Sequence, residues 1–184
     1  MTTLEYLMVY TESGLPIYSK CYGNFCKTAF KEPELLSGFL SAIETIPPTL
    51  GSGLSLESIQ MGPTQMRFSK TTPAGQSVVI GLSENRPEVA EAVFQAVNNV
   101  LAKPQFKDIE WTHVTGEIMN DFENELVNDT LPNALHSYGG FSDQCPLGDQ
   151  CPIHTTAHQS ARSKIWGAIK DKYAALKRKM TGTS

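Results

Sequence analysis

The sequence predicts an α+β domain, a five-stranded antiparallel sheet with helices on its faces. Three observations carry that prediction. Five short runs rich in β-forming residues are each closed by turn-formers. Three other stretches repeat apolar residues at helical spacing. Their order is strand, strand, helix, three strands, helix, helix, which suits helices layered on an antiparallel sheet.

The first strand is Leu4 to Tyr10, and Thr11-Glu12-Ser13-Gly14 forms its turn. Leu15 to Tyr22 is the returning strand, with Pro16 tolerated at its beginning. Glu32-Pro33-Glu34 places a proline and acids in the first turn of a helix. Its apolar face is Leu35, Leu36, Phe39, Leu40, Ile43 and Ile46, and Pro47-Pro48 is expected to end it. Three strands follow, Leu54 to Met61, Thr64 to Lys70 and Gln76 to Leu82. In the middle one Met66 and Phe68 alternate with Arg67 and Ser69, as one wet face requires. Pro87 opens a helix striped by Val89, Ala92, Val93, Ala96, Val97 and Val100. An extended piece through Ile109 and Trp111 leads to a last helix carrying Ile118, Phe122 and Leu126, expected to stop before Leu131-Pro132.

The chain has 184 residues, enough for one domain and an appendage, and its 40% hydrophobic content supports a packed core. No apolar run approaches the roughly 20 residues of a membrane-spanning helix. The first residues lack the basic and apolar regions of a secretory signal, so the expected compartment is the cytoplasm. The net charge of −4 is unevenly spread: residues from Gln159 onward carry +6 and everything before them −10. Such asymmetry points to an acidic surface that the tail meets, on another molecule or on its own body.

The hairpin Tyr10-Thr11-Glu12-Ser13-Gly14-Leu15-Pro16-Ile17-Tyr18-Ser19 and the helix Leu35-Leu36-Ser37-Gly38-Phe39-Leu40-Ser41-Ala42-Ile43 resemble those of longin-like and roadblock-like small domains, the uncharacterised archaeal type above all. The resemblance covers about Met1 to Asp129. It implies a longin, roadblock or profilin-like scaffold without catalytic activity. It also implies protein partners, among them a small GTPase or a trafficking or tethering assembly, and a homodimer. Everything after Leu131 lies outside it. The expected division is therefore 1–131 for the longin/roadblock-like domain, 132–158 for a Cys/His segment and 159–184 for a basic helix and tail.

The sharpest local signal is Cys145-Pro-Leu-Gly-Asp-Gln-Cys151-Pro-Ile-His154-Thr-Thr-Ala-His158. Two sulfurs and two imidazoles within fourteen residues suit a structural Zn²⁺, which takes four such ligands in a tetrahedron. Gly148 and the two Cys-Pro steps bend the chain, and His154 and His158 share a helix face at i, i+4. His136 and Asp149 are reserve ligands. The alternatives are a loop with two free thiols and two surface histidines, a Cys145–Cys151 disulfide, or another metal. Of the other pair, Cys21 reads as a buried strand residue and Cys26 as a loop thiol.

From about Ser160 to Met180, Ile165, Ile169, Tyr173, Leu176 and Met180 form an apolar stripe with Trp166 beside it. Lys177, Arg178 and Lys179 are among the bases that fill the other faces. Such a helix packs back onto an acidic body, enters a partner's groove, or lies on an anionic membrane surface as a peripheral anchor. Nucleic acid is not expected, because the main domain is acidic and no aromatic–basic stacking motif occurs. No phosphate loop, nucleophile elbow or dinucleotide fingerprint is present, and no nucleophile–base pair can be named. An enzyme is not expected; a zinc-dependent hydrolase would need an open coordination position.

Overall fold

A computed structural model describes residues 4–23, 33–51, 56–62, 64–70, 75–139 and 145–153. The strands are β1 (Leu4–Tyr10), β2 (Pro16–Cys21), β3 (Ser58–Met61), β4 (Thr64–Lys70) and β5 (Ser77–Leu82). They form one sheet in the order β2-β1-β5-β4-β3, and every neighbouring pair is antiparallel. The helices are α1 (Pro33–Leu50), α2 (Pro87–Leu101), the single turn α3 (Pro104–Lys107), α4 (Gly116–Glu125) and α5 (Leu131–Gly139). The α+β class, the five antiparallel strands and their placement in the sequence agree with expectation.

Strand β1 feeds two cores. Leu4, Leu7 and Val9 enter the larger one, with Val78, Ile80 and Leu82 of β5 and the apolar stripe of α2. Tyr6, Met8 and Tyr10 enter the smaller one on the opposite face, with Val79, Met66 and the inner side of α1. A register shift between Leu4 and Tyr6 puts Leu4 and Leu7 on the same face despite their odd spacing. The turn after β1 needs Gly14, whose φ is +84° and which sits against Ser41 and Gly38 of α1. Gly81 is a close-approach site: a Cβ there would stand 3.1 Å from the Tyr6 Cβ and 3.3 Å from the Thr64 Cγ2.

Three expectations need correction. Helix α1 continues through Pro47-Pro48 to Leu50. Each proline loses its N–H donor and crowds the carbonyl four residues back, but other bonds carry the last turns: Thr45 and Thr49 hydroxyls donate to the Ala42 and Ile46 carbonyls, and Gly51 N–H donates to the Pro47 carbonyl. The segment through Trp111 is not extended; it forms α3 and a 3₁₀ turn, Trp111–His113. The last helix does not stop before Leu131-Pro132. A π-helical turn, Leu126–Thr130, follows α4 and feeds directly into α5. That wider turn accommodates the donor missing at Pro132, and the Thr130 hydroxyl donates to the Glu125 carbonyl at 3.1 Å.

The large core is centred on Phe122 of α4, which is fully buried. Its ring centroid lies 5.7 Å from Phe106, 5.6 Å from Trp111 and 6.3 Å from Tyr18, all edge-to-face. Phe122→Ala is expected to cost about 3–5 kcal/mol, read as a lowered urea midpoint with little change in slope.

Candidate metal centre

The centre is built by α5 and the turn that follows it. Leu131 and Leu135 are fully buried in the larger core and fix the rotation of α5. His136, next to Leu135, is thereby held at the margin of that core, half-buried. Nine residues on, Cys145 begins a tight turn. Gly148 N–H donates to the Cys145 carbonyl at 2.9 Å, and Cys151 N–H donates to the Gly148 carbonyl at 3.1 Å. Gly148 adopts φ +54°, a left-handed conformation that favours glycine. The 3₁₀ turn Gly148–Gln150 then returns Cys151 towards Cys145. Leu4 N–H donates to the Pro146 carbonyl at 3.3 Å, tying the turn to the start of β1.

Cys145 and Cys151 are not disulfide-bonded, and both are buried with Leu147 in the larger core. The His136 Nε2 is 3.1 Å from the Cys151 Sγ, and one donor atom from each of the three residues lies within 4.8 Å of the others. Zn–S bonds of about 2.3 Å and a Zn–N bond of about 2.0 Å imply donor separations of roughly 3.5–3.8 Å in a tetrahedron. A 3.1 Å contact and a common 4.8 Å limit place the three donors near those separations, so they are gathered before any ion arrives. The donor set also fits by charge: two thiolates balance a divalent cation, and the imidazole is neutral. A buried centre can then form without leaving net charge in the core. This cluster could hold a metal ion.

The structure thus brings together two of the expected ligands, Cys145 and Cys151, and adds the reserve residue His136. Asp149 is exposed and outside the cluster. His154 and His158 lie outside the described residues, as do Cys26 and the partner-binding candidates Ile165, Trp166, Ile169, Tyr173, Lys177, Arg178 and Lys179. Cys21 departs from its reading as a buried strand thiol: it is half-buried at the end of β2 and disulfide-bonded, and its sulfur is not a ligand donor. His113 is exposed and beside Glu110, with 3.4 Å from Nδ1 to Oε1. His136 stood in reserve because Cys145, Cys151, His154 and His158 already offered four ligands within fourteen residues. Once α5 is helical, His136 beside the apolar pair Leu131 and Leu135 is the signal that would have found it.

Among the described residues no helix is long and apolar enough to cross a membrane. The fold is compatible with a longin-like domain; comparison with family models and with curated proteins gives no match.

Burial pushes the Cys145 thiol up from its ordinary 9.0 to about 11, with Cys151 beside it adding to the shift. At neutral pH the metal-free Cys145 thiol is protonated, so an incoming ion must displace its proton. Co²⁺ is expected to bind one per chain with thiolate-to-metal charge transfer, release protons, and bind more weakly as pH falls. Cys151→Ser should abolish the charge-transfer band, and His136→Ala should weaken binding by more than about 10-fold, the loss typical of even an outer-shell partner. The raised thiol also gives the metal-free protein a pH dependence. A group whose folded-state pKa lies above its unfolded value contributes stability below the unfolded value, near 9, that is lost as pH rises towards 11. Urea midpoints of the apoprotein are therefore expected to fall across that window, and those of Cys145→Ser to fall less.

Proposed function

We propose that the chain is a non-enzymatic adaptor that binds protein partners, stabilised by a structural zinc ion. The observation that carries the first half is the outward face of α1. Leu35, Phe39, Ile46 and Leu50 are exposed by 69%, 50%, 51% and 77%. At spacings of four, seven and four residues they form one ridge along the helix. The adjoining flank of the same helix is anchored: Leu36 and Leu40 are buried, and the Tyr10 hydroxyl donates to the Glu44 carboxylate at 2.7 Å. An apolar arc wider than the part the sheet buries leaves the remainder for docking, since contiguous exposed patches of this kind mark interaction sites. The resemblance to longin and roadblock domains supplies the partner class, a small GTPase or a trafficking or tethering assembly, and adds homodimerisation.

The second half rests on the donor set. Nitrogen and sulfur ligands select zinc among common divalent ions. The fourth ligand is proposed to be His154, with His158 in reserve: C-x2-H spacing from Cys151 leaves ample reach. Four protein ligands would close the site, making the ion structural. The proposed compartment is the cytoplasm, where thiols such as Cys145 and Cys151 stay reduced.

The double variant Phe39→Glu/Ile46→Glu tests the docking face. Both sites are exposed, so the thermal midpoint should move little. Partner capture from native lysate, and any dimer seen by light scattering, should fall by at least about 10-fold, the loss expected when an aromatic anchor is removed. Undiminished binding by this folded variant would remove the α1 face from the proposal.

A further inference from the structure

One cavity belongs neither to the α1 ridge nor to the metal cluster. It has a volume of about 570 Å³ and opens where three segments meet: the β1–β2 turn at residues 11–13, Gln76 at the head of β5, and residues 109–112 around the 3₁₀ turn. Small-ligand sites occupy about 300–1,000 Å³, so the space is of the right size. Much of the wall is fixed. Thr11, Gln76 and Trp111 are buried, and the Trp111 ring packs on Phe106 and Phe122 with centroids 6.1 and 5.6 Å away. The Thr11 hydroxyl accepts from Leu15 N–H at 3.1 Å and is bonded to the Ser13 hydroxyl at 2.8 Å, which holds the turn.

The wall carries charge of one sign. Glu12 and Glu110 line the cavity, and among the described lining residues there is no lysine, arginine or histidine. The Glu12 carboxylate has no hydrogen bond or ion pair among the described residues. The Glu110 carboxylate accepts from the Thr112 hydroxyl at 3.3 Å and lies 3.4 Å from His113 Nδ1, both through Oε1. Its Oε2 is left for a ligand. Ile109 and Trp111 add an apolar stretch to the same wall. Carboxylates beside apolar surface match a cation on an aliphatic stem, whose methylenes cover the apolar part while the head stays at the charges.

We infer that this cavity binds a guanidinium or ammonium group on an aliphatic stem, with Glu12 and Glu110 as counter-charges and Ile109 and Trp111 as the surface for the stem. A guanidinium fits better, because its planar fork pairs with a carboxylate through two parallel bonds and has further N–H groups for hydroxyl and amide oxygens. Such a group comes from a free small amine or from the side chain of a bound polypeptide. The second source has a route over α1, because the Ser41 hydroxyl donates to the Glu12 carbonyl at 3.5 Å.

NMR titration of the full chain reads the site through the Trp111 indole N–H and the Ile109 methyls. Agmatine and acetyl-Ala-Arg-Ala-amide are the probes, and acetyl-Ala-Gln-Ala-amide is the neutral control. Both cations should shift these signals saturably, more weakly at high salt, and the control should not. Glu12→Gln and Glu110→Gln should each weaken binding by about 2- to 5-fold, the worth of one solvent-exposed ion pair, and the double variant by about the product. Both sites are exposed, so thermal midpoints should move little and a lost response is not lost folding. Tighter binding of agmatine assigns the site to a free amine, and tighter binding of the peptide assigns it to a polypeptide side chain. Signals that stay unmoved, or that respond equally to the neutral peptide or in the double variant, overturn the inference. Phe39→Glu/Ile46→Glu should leave these titrations unchanged, so the cavity stands or falls apart from the docking face.

Discussion

Strand β1 is buried on both sides, and the molecule is organised around that constraint. A strand in this position must be apolar at nearly every residue, and Leu4, Tyr6, Leu7, Met8, Val9 and Tyr10 meet the demand. Pairing with β2 on one side and β5 on the other satisfies its backbone, so both faces can be covered without orphaned polar groups. The register shift at Glu5 divides its side chains between the two cores. The tyrosine hydroxyls of the smaller core have found partners, Ser19 for Tyr6 and Glu44 for Tyr10. Burial and the adjacent carboxylate keep the Tyr10 phenol neutral far above its usual range. It remains a donor to Glu44, and that bond pins α1 to the sheet.

The metal cluster extends the opposite core. Cys145, Leu147 and Cys151 pack in the same apolar body as Phe122 and the α2 stripe, so the turn is folded onto the sheet by burial as well as by any ion. An ion would add a cross-link between α5 and the turn, and through the Leu4–Pro146 bond its effect would reach the edge of β1. The benefit is greatest where local structure is thin, because a turn of nine described residues has little core of its own. Such an ion acts on folding more than on reactivity.

The apolar arc of α1 is wider than the part the sheet buries. One flank, with Leu36 and Leu40, covers the sheet, and the adjoining flank, Leu35, Phe39, Ile46 and Leu50, is exposed. Exposed apolar side chains in a contiguous row are the kind of surface that the proposed adaptor role requires.

The sheet was legible in the sequence because period-two alternation and turn glycines are local signals; β1 and β4 fall where the residues place them. The α2 stripe was legible for the same reason at period 3.6. The helix ends were not, because a proline's lost hydrogen bond is a local penalty that packing can outweigh. Leu131 and Leu135, fully buried against the sheet's helical layer, carry the helix past Pro132. His136 was legible only as a reserve ligand: its neighbours in the centre are nine and fifteen residues away, and only the folded path closes the gap. By itself the sequence determined the α+β class, the strand order along the chain and the two thiols. The tertiary structure decided which imidazole meets them and which side of α1 faces water, because both depend on helix rotation against a core assembled from distant segments.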